Sequence, residues 1–357
     1  MNSKKWWSRM QSLENIILYC LKQLNGERTI YSIYHLLNGK KSSQTIQDAH
    51  LYSLKKFFRI IEPFPRESFD SIIQRLHETG WINPSGDHQF LLTSTGELHL
   101  KNHPLPCYLK GWEYQHFANP FWERLSLLVQ VISNLVHQES RYIPIQKNKD
   151  THLWLKEVVK KFKHSRDNLG RLLFLEITDV FDTTPDINPD VLIYRLTGYR
   201  QIGLTEGQNA KMLNMENLEY HIEFINIIHY LIQTIEANFD RYPLLSSIFH
   251  GLRKNDSLTI SARKTWDLLK KGYSIDEIVQ LRHLKQSTIE DHLVEFTLNI
   301  DDFSIDRYVD KEMQHKIMDL AFQLHTRQLK IIRNSLTQAS YFQIRLVLAK
   351  YGELQWN

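Results

Sequence analysis

Apolar residues recur at helical spacing along most of the chain, and the spacing is clearest from residue 261 to residue 296. There Ile289, Leu293 and Phe296 follow one another at intervals of four and three, which places them on one face of a helix. A preceding helix ends at Gly272, because glycine readily adopts the left-handed conformation that closes a helix. Helices this short cannot bury enough surface alone. The segment is therefore predicted to fold as three helices around one small core.

The turns of this segment indicate a helix-turn-helix unit. Ser274 and Glu277 have the spacing of a capping box, in which each side chain accepts a hydrogen bond from the backbone amide of the other residue. With the apolar face buried, Ser287, Asp291 and Val294 are expected to face outward on the third helix. In DNA-binding proteins that use this motif, the third helix enters the major groove with its first residues against the bases.

The outward face of the third helix is acidic, because Glu290 and Asp291 lie on or beside it and would repel phosphate. Attraction to DNA would then have to come from the surrounding residues. The cations around it are Arg263, Lys264, Lys270, Lys271, Arg282 and Lys285, and the DNA-binding candidates are Arg263, Lys264, Arg282 and Lys285, with Gln286, Ser287 and Thr288 at the start of the helix. A protein-binding module of three helices is an equally good interpretation, since a fold alone does not define a function.

The N-terminal pattern predicts helices followed by a short hairpin. Apolar spacing indicates helices over residues 11–24, 29–37, about 48–58 and about 68–79. Two short apolar runs, residues 81–82 and 90–92, flank the turn sequence Pro84-Ser85-Gly86-Asp87, which favours a β-hairpin. Helices closed by one hairpin form a winged helix.

The middle of the chain carries longer amphipathic helices and a second capping box, at Thr205 and Gln208. The last helix of this region is expected to present Glu216, Glu219 and Glu223 on its exposed face. Since these carboxylates would be repelled by phosphate, a structural or protein-contact role is predicted for this region.

Charge is distributed unevenly along the 357 residues. The net charge is +4, and the contents of 42% hydrophobic and 24% charged residues are typical of a globular protein. Residues 1–60 hold ten Lys or Arg against three acids, so this segment is +7 and the remainder is −3. A nucleic-acid footprint is therefore expected in the N-terminal part.

Motifs for several enzyme classes are missing. Gly39-Lys40 lacks both the leading Gly and the following Ser or Thr of a phosphate-binding loop, so no ATPase is predicted. The histidines, and the widely separated Cys20 and Cys107, form no metal-ligand pattern, and no nucleophile elbow is present. We predict no enzymatic activity and no cofactor.

The sequence also bears on location. The first residues are polar and basic, which is not the pattern of a signal peptide, and the most apolar helix, residues 121–136, is interrupted by polar side chains. We expect a protein of the cytoplasm or nucleoid with reduced thiols and no membrane partner.

The C-terminal pattern resembles the helicase-associated helix-turn-helix domain at the C-termini of RecQ-type helicases. That domain also occurs in the YpbB family, small proteins encoded beside such helicases in Gram-positive bacteria. The resemblance continues into the tail, residues 341–349, and its matching positions include Thr265, Leu268, Leu269, Gly272, Ile275, Glu277, Ile278, Arg282, Ser287, Thr288, Ile289, Glu290, His292 and Leu293. Lys285 stands where the pattern favours a small hydroxyl residue, so the third helix begins within a couple of residues of it.

The N-terminal part resembles the RQC winged-helix domain of RecQ helicases. The resemblance implies that the loop after the second helix lies against the DNA backbone and that the wing, with His88 near its tip, meets the duplex end. The implied phosphate contacts are Lys40, Lys41, Ser42, Ser43 and Gln44. RecQ proteins usually carry a four-cysteine zinc module before this domain, which two distant cysteines cannot form.

These patterns and resemblances predict a mainly α protein of three parts. These are an RQC-like winged helix over 1–105, a helical middle domain over 106–245 and a helix-turn-helix bundle over 246–357. The implied function is that of a non-catalytic DNA-binding accessory protein that works with a RecQ-type helicase in DNA repair or recombination.

Two other classes of protein remain open. A helix-turn-helix transcription regulator would need side chains that read base edges, and only Gln74 and Gln286 approach that chemistry. The second class is a scaffold that binds only other proteins.

Overall fold

The computed structural model describes residues 12–162, 166–182, 184, 186–252 and 258–352. Within them the chain is mainly helical, which confirms the predicted fold class. The helices are α1 (Ser12–Leu24), α2 (Ile30–Leu37), α3 (Ser43–Leu51), α4 (Arg66–Glu78), α5 (Ser94–Asn102), α6 (Gly111–Tyr114), α7 (Ala118–Val136), α8 (Lys149–Lys161), α9 (Arg166–Asp182), α10 (Asp190–Ile193), α11 (Glu206–Met212), α12 (Asn217–Ala237), α13 (Pro243–Ser246), α14 (Ile260–Lys270), α15 (Ile275–Arg282), α16 (Gln286–Asn299), α17 (Lys311–Gln323), α18 (Leu329–Ser335) and α19 (Tyr341–Tyr351).

The predicted wing is present as an antiparallel hairpin of β1 (Ile82–Gly86) and β2 (Gln89–Leu92). The turn lies later than predicted, at Asp87 and His88, because Pro84, Ser85 and Gly86 belong to β1. Ile82 pairs with Leu92 and Pro84 pairs with Phe90. His88 lies in the turn with a positive φ of 53°, and its carbonyl accepts a hydrogen bond of 2.9 Å from the amide of Ile30. The tip of the wing is thereby attached to the start of α2.

Backbone contacts divide the chain into two compact units. Of the described residues, unit 1 holds 12–13, 103–110 and 114–252, and unit 2 holds 14–102, 111–113 and 258–352. Unit 2 thus combines N-terminal and C-terminal segments. The division into three domains, 1–105, 106–245 and 246–357, stays a prediction.

Unit 1 is built around α12, which packs against α7, α9, α10 and α11. Glu219 on this helix is 7% exposed, so the prediction that it is presented to solvent was wrong. Its carboxylate accepts hydrogen bonds from the amides of Ser12 and Leu13, at 2.8 and 3.0 Å. A carboxylate in this position satisfies amides that the first turn of a helix leaves without partners.

Unit 2 is built around α16, which packs against α3, α14, α15 and α19. Ile289, Leu293 and Phe296 are fully buried, as the apolar spacing predicted. Val294 is 1% exposed, however, so its predicted outward position was wrong. Helical periodicity identifies one buried face, but α3 and α19 cover a second face that no local pattern marks.

The start of α3 also differs from the sequence interpretation, which placed this helix near residues 48–58. The helix begins earlier because the Ser42 hydroxyl accepts a hydrogen bond of 3.2 Å from the amide of Thr45 and so caps it. It ends before Ser53, which has a positive φ of 54°, and a short 3-10 helix, Lys55–Phe57, follows.

The turns of the helix-turn-helix segment form as predicted. Gly272 has φ of 91° between α14 and α15, and Ser274 and Glu277 make the reciprocal capping box. Lys285 precedes α16 without a capping side-chain hydrogen bond. The local signals therefore determined where these helices begin and end.

Candidate nucleic-acid interface

The loop between α2 and α3 leaves the core at Gly39. This residue has φ of 68°, and a Cβ atom there would collide with the side chain of Arg59. Glycine is required on both counts, since other residues rarely adopt this conformation. The turn at Gly39 directs Lys40 and Lys41 to the surface, where both are exposed.

The electrostatic environment of this loop is positive. Lys40 Nζ lies 3.3 Å from His35 Nε2. Burial lowers the pKa of His35, and the charges of Lys40 and Arg66 lower it further. Burial likewise lowers the pKa of Lys41; the charge of Arg59 adds to the effect, and the carboxylates of Glu295 and Glu62 oppose it. The cations around His35 favour an anion at this end of the loop.

The three polar residues after the lysines have different surroundings. The Ser42 hydroxyl caps α3, and the Ser43 hydroxyl accepts a hydrogen bond from Arg345 Nη2. Gln44 is exposed and donates to the carboxylate of Asp48. Both hydroxyls therefore have partners inside the protein, and the side chains of Lys40, Lys41 and Gln44 are exposed.

Arg345 on α19 connects the two ends of the chain and was not selected from the sequence. Its Nη1 pairs with Asp291 Oδ1 at 2.7 Å, and its Nε donates to Gln47 Oε1 at 3.1 Å. Together with the bond to Ser43, each guanidinium nitrogen thus has a partner. Asp291 was expected to repel phosphate, but the positive charge of Arg345 offsets the negative charge of its carboxylate. The signal in the sequence that could have indicated Arg345 is that it is the one cation among the mainly apolar residues 341–349.

A groove of about 600 Å³ opens between these segments of unit 2. Its walls carry the cations Arg28, Lys330 and Arg345, the acids Asp48 and Asp291, and the polar side chains Ser42, Ser43, Gln44, Gln47 and Gln328. An adjoining depression of about 480 Å³ shares Arg28, Ser42, Gln44 and Asp48 and continues past His35 to Lys40. The surface is therefore polar from the α2–α3 loop to α18.

Arg282 is engaged inside the helix-turn-helix segment. Its guanidinium donates to the carbonyl of Ser261 at 2.8 Å, to the Ser261 hydroxyl at 3.1 Å and to the Thr265 hydroxyl. The Thr265 hydroxyl also lies 2.8 Å from His292 Nδ1. Arg282 therefore joins α14 to α15 and is half-buried.

The start of α16 is the most exposed part of this helix. Lys285, Gln286 and Ser287 are exposed and Thr288 is half-buried. The Gln286 amide donates to Glu290 Oε1 at 3.1 Å, so one of the two predicted base readers already has a carboxylate partner.

On α14, Lys264 is exposed and Arg263 is half-buried. The other two candidates lie near the wing. The Gln74 amide donates to Glu78 Oε1 at 2.8 Å along the exposed face of α4. The ring of His88 lies with its centroid 5.0 Å from that of Tyr31.

Comparison with known proteins identifies the C-terminal segment and the chain as a whole. A helix-turn-helix domain family matches residues 261–348. Protein YpbB of Bacillus subtilis (strain 168) is 34% identical over 341 residues, which cover 94% of this chain and 96% of that protein. The chain belongs to the YpbB family. No solved structure matches it.

The matched helix-turn-helix domain of this YpbB-family protein covers one wall of the groove. Asp291, Lys330 and Arg345 lie inside the match, whereas the loop from Lys40 to Gln44 lies outside it. The matched domain therefore contains only the C-terminal residues of the candidate interface and not its N-terminal loop.

Other kinds of site have little support in the part of the chain that the structure describes. Among these residues no group of three or more His, Cys, Asp or Glu could hold a metal ion, and no helix is long and apolar enough to cross a membrane. Cys20 is buried and Cys107 is exposed, each as a free thiol. The positive groove of unit 2 is the best candidate interface.

Proposed function

We propose that this YpbB-family protein is a non-catalytic DNA-binding protein that contacts the sugar-phosphate backbone and works with a RecQ-type helicase in DNA repair or recombination. The observation that carries the DNA-binding part is the exposure of Lys40, Lys41 and Gln44 in the same unit as the helix-turn-helix domain. Ammonium and amide groups donate to phosphate oxygens and supply affinity without reading sequence.

The burial of α16 favours backbone binding over a sequence-specific regulator. A regulator inserts this helix into the major groove, where side chains along its outer face contact base edges. Here Val294 is buried and Asp291 is paired with Arg345, and the exposed residues of α16, Gln286 and Ser287, lie in its first turn. That turn offers Gln286 alone as a bidentate base reader.

A salt titration of DNA binding tests this part of the proposal. Duplex, forked and single-stranded oligonucleotides are titrated with the full chain at several salt concentrations. For backbone contacts, the logarithm of the affinity should fall by roughly 0.9 per log unit of salt for each phosphate neutralised, and equally for unrelated sequences. Lys40→Ala with Lys41→Ala should reduce this slope by about two.

A matched pair of lysines provides the control. Lys160 and Lys161 are adjacent and exposed on α8 in unit 1, so replacing both with Ala removes the same charge elsewhere. An equal loss of slope in the control pair would mean that net charge and not the α2–α3 loop determines binding. A preferred sequence would favour the regulator, and the absence of salt-sensitive binding would favour a protein-only scaffold.

The partnership with a helicase rests on the resemblance of both ends of the chain to RecQ modules. Capture of the native full-length protein from a cell extract tests it, with nuclease added to remove DNA that could bridge two proteins. A RecQ-type helicase should remain bound after nuclease treatment and be absent when an unrelated DNA-binding protein is the bait. Loss of the helicase on nuclease treatment would contradict a direct contact.

A further inference from the structure

We propose that the groove of unit 2 is a phosphate-binding site to which the two ends of the chain contribute together, with Lys330 and Arg345 acting on the same DNA backbone as Lys40. This inference rests on the proposed function and extends it to residues of α18 and α19. It makes the phosphate site a property of the packed unit and not of the N-terminal winged helix alone.

The shape and lining of the groove support a phosphate ligand. The volume of about 600 Å³ suits a chain of sugar and phosphate groups, and its walls carry hydroxyl and amide side chains as well as cations. Phosphate oxygens accept hydrogen bonds from all of these groups. The adjoining depression, which reaches Lys40, gives a continuous path for a strand across this surface.

The charges of the groove favour an anion. Both acids on its walls are paired, Asp48 with Arg28 at 3.0 Å and Asp291 with Arg345 at 2.7 Å. Lys330 is exposed on α18 and is an additional positive charge beside these pairs. Across both depressions, Arg28, Lys40, Lys330 and Arg345 face Glu27, Asp48 and Asp291, which leaves a net positive charge of one.

Arg345 has hydrogen-bonding capacity for a ligand. A guanidinium carries five N–H donors, and the partners of Arg345 use one on each nitrogen. Asp291, Gln47 and Ser43 hold its plane in position, so that further donors can be directed at a phosphate without ordering a mobile side chain.

The test compares single charge changes on and off the groove. Lys330→Ala should reduce the salt slope of duplex binding by about one. Between 50 and 200 mM salt, the factor by which the variant loses affinity should therefore be about three- to fourfold smaller than for the unmodified chain. Lys311→Ala is the control, because Lys311 is exposed on α17 and does not line the groove.

A gain of binding separates the proposal from simple damage to the fold. Asp291→Asn keeps a hydrogen-bonding partner for Arg345 but removes a negative charge from the wall. DNA binding should therefore tighten several-fold at low salt. Asp319→Asn, at an exposed position of α17, removes the same charge away from the groove and should have a smaller effect.

The outcomes distinguish this inference from the proposed function. Lys330→Ala and Asp291→Asn could behave as their controls while Lys40→Ala with Lys41→Ala lowers the salt slope. That result would overturn phosphate binding by the groove and leave DNA binding by the α2–α3 loop in place. If the unmodified chain ignores DNA, the proposed function fails, and pyrophosphate is the remaining probe. A rise in Tm with pyrophosphate that Lys330→Ala abolishes would retain an anion site, and no rise would remove it.

Discussion

In unit 1 the carboxylates of Glu176 and Glu219 accept hydrogen bonds from backbone amides, whereas in unit 2 those of Asp48 and Asp291 pair with arginine side chains. The two units also differ in the volume and lining of their cavities. One in unit 1 holds about 10 Å³ between apolar side chains, and the groove of unit 2 holds about 600 Å³ between polar ones.

The difference separates a role in packing from a role in binding. The carboxylates of Glu176 and Glu219 use their hydrogen-bonding capacity on backbone amides and are buried. An Arg–carboxylate pair at the wall of a groove keeps donors near the surface. We therefore expect changes in unit 1 to alter stability and changes around the groove to alter binding.

The largest expected effect is on the core of unit 1. Phe121 is fully buried beside its small cavity, so Phe121→Ala should lower the free energy of unfolding by about 3–5 kcal/mol. Phe174→Ala is the control, since Phe174 in the same unit is 67% exposed and should change stability by about 0.5 kcal/mol or less. Urea unfolding measures both. If the folded Phe121→Ala protein lost the salt slope of DNA binding, the separation of roles would be wrong.

A smaller loss is expected where α16 is covered in unit 2. Val294→Asn should lower the free energy of unfolding by about 3 kcal/mol, because it removes a buried apolar side chain and introduces an amide without partners. Ser287→Asn, at an exposed position of the same helix, should be nearly neutral. Equal stability of the two variants in urea unfolding would indicate that the outer face of α16 is open, as the sequence had suggested.

Acid should destabilise unit 2 through His292, which is 6% exposed. Burial lowers the pKa of His292 to about 4, with Arg282 adding to the effect. The unfolded chain, with the ordinary pKa of about 6.5, binds this proton first as the pH falls, so stability is lost between about pH 6.5 and 4. From pH 7 to pH 5 the loss from this residue should be about 2 kcal/mol.

His292→Asn should remove this part of the pH dependence, because the amide keeps a partner for Thr265 without titrating. Unfolding free energies at pH 7 and pH 5 give the difference. His315→Asn is the control at an exposed position of α17 and should retain the acid loss. An undiminished acid loss in His292→Asn would exclude His292 as its source.

The smallest expected effects are at two helix caps. Thr205 caps α11 in unit 1 through a capping box on the surface, and Thr205→Ala should lower the free energy of unfolding by about 1 kcal/mol. Thr259 caps α14 in unit 2 and also donates its hydroxyl to the buried Glu295 at 3.1 Å. Thr259→Ala should therefore lower stability by about 2 kcal/mol. A smaller loss at Thr259 than at Thr205 would mean that Glu295 needs no hydroxyl partner.

Much of the local structure could be predicted because its signals lie within a few residues. Gly272 with the pair Ser274 and Glu277 placed the turn between α14 and α15. The two apolar runs around Pro84 to Asp87 predicted the hairpin of the wing, but its turn lies at Asp87 and His88. The start of α3 was misplaced because Ser42 is followed by a weakly apolar first turn. Capping by its hydroxyl, and not periodicity, sets that boundary.

The candidate site could be predicted only in part. The basic loop was visible as adjacent lysines after a glycine, and it is exposed. Arg345 was not recognised, because its role depends on Ser43, Gln47 and Asp291, which are distant in the sequence. Arg282 was selected for its charge, but its guanidinium is engaged by Ser261 and Thr265. Charge alone does not reveal whether a cation meets solvent or another part of the protein.

The sequence by itself determined the helical class, the wing, the helix-turn-helix turns and the basic loop, because hydrophobic period, capping and turn chemistry act over a few neighbouring residues. Tertiary structure alone decided that α3 and α19 cover α16 and that both ends of the chain line one groove. The contacts between α3 and α19 join side chains about 300 positions apart, and all of these contacts depend on which surfaces gain most from being buried together.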